Sequence, residues 1–134
     1  MDIDHRPAAV ELLPERLKGS WDAHAGSGLG GRWAYWDAIN DVYHGLARDR
    51  VTALFGEAAA VFNLCGATRL RDEHMACGVR VMIDTDPVYE QIKYAAADPA
   101  ARSYLDAHTH FFTYGENVGG PGWIVPLCGI AWQP

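Results

Sequence analysis

Carboxylates, arginines and amides gather where this chain leaves three short β-prone runs. Gly66-Ala67-Thr68-Arg69-Leu70-Arg71 follows the run Ala60 to Cys65, Asp84-Thr85-Asp86 follows Val79 to Ile83, and Tyr114-Gly115-Glu116-Asn117 closes a run that starts at His110. A carboxylate beside a ligand hydroxyl can take its proton, so Asp84, Asp86 and Glu116 are the candidate general bases. Gly66 and Gly115 let backbone approach a ligand closely. Arg69 and Arg71 have the forked geometry that clamps an anion such as a diphosphate. Thr85, Tyr114 and Asn117 add hydroxyls and an amide, which together suit a polar, hydroxyl-rich ligand. Each residue also has a plain structural use: Arg69 and Arg71 can pair with Asp72 and Glu73, and Asp86 can cap a helix.

Other chemistry-bearing groups are weaker. Asp106-Ala107-His108-Thr109-His110 would put three metal-binding side chains on one face of an extended segment. His108, however, continues the apolar stripe of Tyr104 and Leu105. A helix through it would split the trio, so no metal is expected, and a metal-dependent hydrolase using His108 and His110 is kept as an alternative. His74 and Cys77 form only a weak additional pair. Gly26-Ser27-Gly28-Leu29-Gly30-Gly31 contains the spacing of a dinucleotide loop, but no β-prone run precedes it and no helix clearly follows, so no cofactor is expected. Cys65 at a strand end reads as a buried cysteine before it reads as a nucleophile.

The elements that must position these residues follow from periodicity. Val51, Leu54, Phe55, Ala58 and Ala59 fall at helical spacing, and Arg32 to Asp37 is an aromatic-rich short strand. Asp86-Pro87 and Asp98-Pro99 both have the form of a helix start, a carboxylate cap followed by proline at the first helical position. The helices they open would carry Val88, Ile92 and Ala96, then Ala101, Tyr104, Leu105 and His108, as apolar stripes. An opening helical stretch, Pro7 to Lys18, is interrupted by Pro14. Helix, strand, loop, strand, helices, strand gives an α/β fold: a small parallel sheet of βαβ units, Rossmann-like and incomplete, over residues 32–134, behind an N-terminal helical and Gly-rich segment, residues 1–31. In such sheets ligands sit beyond the carboxyl ends of the strands, where the three polar clusters fall.

Composition narrows the function classes. The chain has 134 residues, of which 49% are hydrophobic and 21% charged, a balance that fits one small globular domain and excludes wholesale disorder. Its formal charge is −6 with scattered basic residues, so no footprint for nucleic acid or anionic lipid is present. No apolar run approaches the roughly 20 residues of a membrane span. Three cysteines, none in a Cys-x-x-Cys pair, fit free thiols in a reducing cytoplasm better than a disulfide framework.

Three strings, Phe62 to Gly66, Val81 to Gln91 and Phe111 to Gly119, resemble bacterial glycosyltransferase-like proteins. Arg32 to Asp37 and Gly129 to Pro134 extend the likeness from about residue 30 to the end. The resemblance implies two Rossmann-like domains facing across a cleft, with the sugar acceptor usually held by the N-terminal one and the nucleotide sugar mostly by the C-terminal one. This chain would match part of the N-terminal domain, an acceptor-side half whose partner is a sugar or nucleotide sugar. The other class of reading is a non-catalytic binding or assembly module. Three parallel strands would leave two open edges, so a homodimer is also expected.

Overall fold

The computed structural model describes residues 31–134; the expected opening helix and the Gly26 to Gly31 motif lie wholly or almost wholly outside them. The described residues divide into two compact units, one up to Ala53 and one from Leu54 to Pro134.

The first unit is a hairpin. Strand β1 (Ala34–Asp37) pairs antiparallel with β2 (Val42–Gly45) in the register Ala34 to Gly45 and Asp37 to Val42. The Asp37 carboxylate shapes its turn by accepting hydrogen bonds from the Ile39 and Asn40 backbone N–H groups at 3.0 and 3.3 Å and from Asn40 Nδ2 at 2.7 Å. Stacked cross-strand pairs, Tyr35 with His44 and Trp36 with Tyr43, support it. The sequence reading anticipated β1 but not β2, whose Val-Tyr-His-Gly string is too short and mixed to show a clear alternation. Helix α1 (Arg48–Glu57) follows, as the spacing of Val51, Leu54 and Phe55 requires.

The second unit is a parallel sheet of four strands in the order β3 (Val61–Leu64), β4 (Arg80–Asp84), β5 (His110–Thr113) and β6 (Trp132–Gln133). The expected α/β, Rossmann-like class is what the chain adopts, with one more strand than the three anticipated. Strand β6 is only two residues long, which is why no periodicity announced it. The β3–β4 connection contains a single 3-10 turn at Asp72–Ala76, whereas β4 and β5 are joined through α2 (Tyr89–Ala95) and α3 (Pro99–Asp106).

Alternation along the strands decides which face is covered. Met82 on β4 packs with Tyr104 and Leu105 of α3, and Tyr94, Phe111, Ile130 and Trp132 close around them. Leu105 is fully buried, and such burial stabilises by about 1.5–3 kcal/mol. The register puts Phe62, Leu64 and Phe112 on the opposite face, where all three are exposed.

Helix α3 starts as predicted. Asp98 accepts a hydrogen bond from Ala101 N at 2.8 Å, and Pro99 occupies the first turn. The matching expectation for Asp86 fails, because α2 begins two residues later with Val88 as its N-cap. Its capping group is Gln91, whose Oε1 accepts from Val88 N at 2.8 Å. The stripe of α2 is corrected with it: Ile92 and Ala96 are exposed, and the side chain that α2 buries is Gln91.

Candidate functional site

Asp84 is the last residue of β4, on the same face as Met82, beside Thr113 of β5. It is only 6% exposed. Its Oδ1 accepts from the Asp86 N–H at 3.0 Å, which bends the chain out of the strand, while its Oδ2 is buried with no hydrogen-bond partner. Burial is the main cause that raises the pKa of this carboxyl, and the charges of Asp86 and Glu90 raise it further. The Asp86 N–H and the neighbouring Gln91 amide act in the other direction. Gln91 is the donor that faces the Asp84 carboxylate and favours its charged form, although its buried Nε2 and Asp84 Oδ2 stand outside good hydrogen-bond geometry. Glu90 repeats the pattern: one oxygen pairs with Lys93 Nζ at 3.2 Å, and the other is buried and unpartnered. Val88, between these groups, has φ +99°, a strained value for a β-branched residue.

The loop after β3 approaches the site through Tyr104. Cys65 and Gly66 both take left-handed backbone, φ +56° and +60°. A Cβ at Gly66 would lie 1.8 Å from the Tyr104 hydroxyl, so only glycine fits there. Arg69 lays its guanidinium over the Tyr104 ring, 4.4 Å from the centroid. Burial raises the Tyr104 pKa; the Arg69 charge opposes that shift, and Glu90 and Asp84 add to it. Gly66, Arg69, Asp84, Glu90, Gln91 and Tyr104 therefore share one electrostatic neighbourhood at the carboxyl end of the sheet.

The other predicted residues are placed less centrally. Gly115 packs on the β4 turn, since a Cβ there would stand 2.6 Å from Val118 Cγ2 and 3.3 Å from Pro87 Cγ. Thr85 is half-buried, whereas Asp86, Tyr114, Glu116 and Asn117 are exposed. Arg71 does what its plain reading required and pairs with Glu73 at 2.6 Å. Tyr104, Glu90 and Gln91 were not anticipated as site residues. Tyr104 read as a core aromatic, which it also is, and only the Gly66 contact reveals that its hydroxyl lies against the turn after β3. Gln91 carried a usable signal: an amide in an apolar helix stripe needs buried polar partners.

His108 and His110 are not brought together as metal ligands. His108 is buried with Nδ1 2.9 Å from Tyr104 O and Nε2 3.1 Å from Asn63 Nδ2, so both ring nitrogens are engaged. His110 is exposed on β5 next to Thr109. Among the described residues no three His, Cys, Asp or Glu side chains group as a metal site. A cavity of about 380 Å³ opens beside β3, lined by Phe55, Phe62, Leu64 and Leu70 among others. It is mainly apolar, and the Asn63 side chain and His74 Nδ1 within it are already hydrogen-bonded. No described helix is long and apolar enough to cross a membrane. Compared with known proteins, the chain matches no family model, no curated protein and no solved structure.

Proposed function

We propose that this chain is a glycosyltransferase-like domain, an acceptor-side half that binds a sugar or nucleotide sugar at the carboxyl ends of β3, β4 and β5. The observation that carries the reading is the set of buried polar atoms without partners at the end of β4: Asp84 Oδ2, Glu90 Oε2 and Gln91 Nε2. Buried polar groups are nearly always satisfied, and leaving one unmade costs about 1–3 kcal/mol, so such a cluster is the kind of place where a ligand completes the network. Sugar hydroxyls both donate and accept, which matches two carboxylate oxygens and an amide N–H. Tyr104 and Arg69 extend the same surface with a hydroxyl and a stacked cation.

In a transfer reaction Asp84 is the base. Its raised pKa brings a carboxylate closer to the range where it can accept the acceptor hydroxyl's proton. The freed oxygen then bonds to the sugar's anomeric carbon as the bond to the diphosphate breaks. Arg69 is the cation available to the leaving group, a role that Arg71 loses to Glu73. Titration with a panel of nucleotide sugars and simple glycosides, followed by product analysis, tests the reading. Saturable binding that is lost in Asp84→Asn supports it, and absence of binding across the panel overturns it.

A non-catalytic assembly module is the second reading. It is favoured by the exposure of Phe62 at 62% and Leu64 at 58% on β3, an edge strand with no charged residue to discourage pairing. Sedimentation of the chain as a monomer at high concentration would count against it.

A further inference from the structure

Asn63 and His108 are buried polar groups that the proposed chemistry does not use, and their hydrogen bonds have a fixed sense. Thr68 N donates to Asn63 Oδ1 at 3.2 Å, and Asn63 Nδ2 donates to Thr68 O at 2.8 Å. A backbone N–H can only donate and a backbone carbonyl can only accept, so the Asn63 amide has one possible orientation. Its second N–H then points at His108 Nε2, 3.1 Å away, which must be an acceptor. His108 Nδ1 faces the Tyr104 carbonyl at 2.9 Å and must carry the proton. One tautomer, neutral, satisfies every partner. A second proton on Nε2 would set N–H against N–H, and Asn63 could relieve that only by turning over, which breaks both of its bonds to Thr68.

We propose that Asn63 and His108 form a proton-sensitive latch: neutral His108 holds the turn from Leu64 to Thr68 that presents Gly66 and leads into Arg69, and protonation of His108 releases it. Among the described residues no carboxylate acts on the His108 ring as a counter-charge. Facing His108 are Asn63 from β3, Arg80 from β4, Tyr104 and Leu105 from α3, and Phe111 from β5. Burial is the main cause that opposes protonation, and Arg80, the charged member, acts in the same direction against the Tyr104 and Leu105 backbone, so the ring titrates below the ordinary histidine range. The proposal deepens the functional reading, since it makes ligand binding at Gly66, Arg69 and Tyr104 weaken on acidification.

NMR of the unliganded chain tests the latch without any ligand. The His108 ring resonance and the exchange protection of the Thr68 amide are followed from pH 7.5 downward, with the Arg102 amide inside α3 as a reference for global opening. One linked proton lowers Thr68 protection by at most about tenfold per pH unit as pH falls from the His108 pKa of the opened turn to the lower one of the latched state, and that loss, relative to Arg102, is the expected result. Equal loss at both amides, or flat Thr68 protection through the titration, overturns the latch. In Asn63→Asp a carboxylate accepts from protonated His108, so the sign reverses and protection rises on acidification. His108→Gln keeps an acceptor for Asn63 without a titrating ring and abolishes the pH dependence, which provides the answer if Asn63→Asp does not fold. The same pH series run with a nucleotide sugar separates the two claims. No binding at any pH with the latch still opening rejects the functional reading and supports the latch, whereas binding unchanged while Thr68 opens rejects the link between them.

Discussion

The turns that leave β3 and β4 sit side by side and are built in opposite ways. After β3, Asn63 uses its carbonyl and both N–H groups on Thr68 and His108, and every polar atom of that set is satisfied. After β4, Asp84, Glu90 and Gln91 each keep one buried polar atom without a partner, and Val88 holds a strained φ of +99° between them. A satisfied network has nothing left to offer a ligand and acts as scaffold. The unsatisfied one carries a standing cost that a bound molecule would remove, and stored strain of this kind concentrates at functional sites.

Substitutions should separate the two turns. Asn63→Ala strands the Thr68 backbone and His108 together, and should lower stability by about 2–3 kcal/mol in urea unfolding. An unchanged midpoint would mean that the β3 turn is not the scaffold. Gly66→Ala should cost about 1–2 kcal/mol from the left-handed backbone alone, and more as the Tyr104 hydroxyl is displaced. Gly78→Ala, where an added Cβ meets nothing within 4 Å, is the control, and should stay within about 0.5 kcal/mol.

The pH dependence sharpens the contrast, because the two turns titrate with opposite signs. Burial lowers the pKa of His108, so its contribution is complete above the unfolded value of about 6.5 and is lost as pH falls through the lower folded value. Burial raises that of Asp84, so its contribution is complete below the unfolded value of about 3.9 and is lost as pH rises through the higher folded one. Unfolding midpoints between pH 4 and 8 should show His108→Gln losing the acid-side decline. Asp84→Asn should gain on wild type as pH rises, the smallest of these effects and the one most diagnostic of a carboxylate kept for chemistry. A variant that weakens steadily toward neutral pH would instead make Asp84 a structural residue.

Much of the sheet was legible because parallel strands buried on one face read as short β-prone runs with glycine or aspartate stops. Val61–Leu64, Arg80–Asp84 and His110–Thr113 were all marked this way. The β2 and β6 strands were not, since four mixed residues and two residues carry no period. Local signals also misled at α2, where Asp86-Pro87 has the form of a start but the chain first turns through the Asp86 N–H bond to Asp84 and the helix begins at Tyr89. The strand-end rule points to Gly66, Arg69 and Asp84, which lie where β3 and β4 end. It could not supply Tyr104 or Gln91, which stand on the crossover helices α3 and α2, nor show that Arg71 is taken by Glu73.

The central claim is that the buried, unpartnered polar atoms at the end of β4 receive a sugar. Amide chemical-shift mapping during titration with nucleotide sugars tests it most directly. Saturating shifts confined to residues 65–69, 84–91 and 113–117, absent in an Asp84→Asn variant that is no less stable than wild type, are the predicted result. Shifts centred on Phe55, Leu70 and His74 beside β3, or none at saturating ligand, would contradict it.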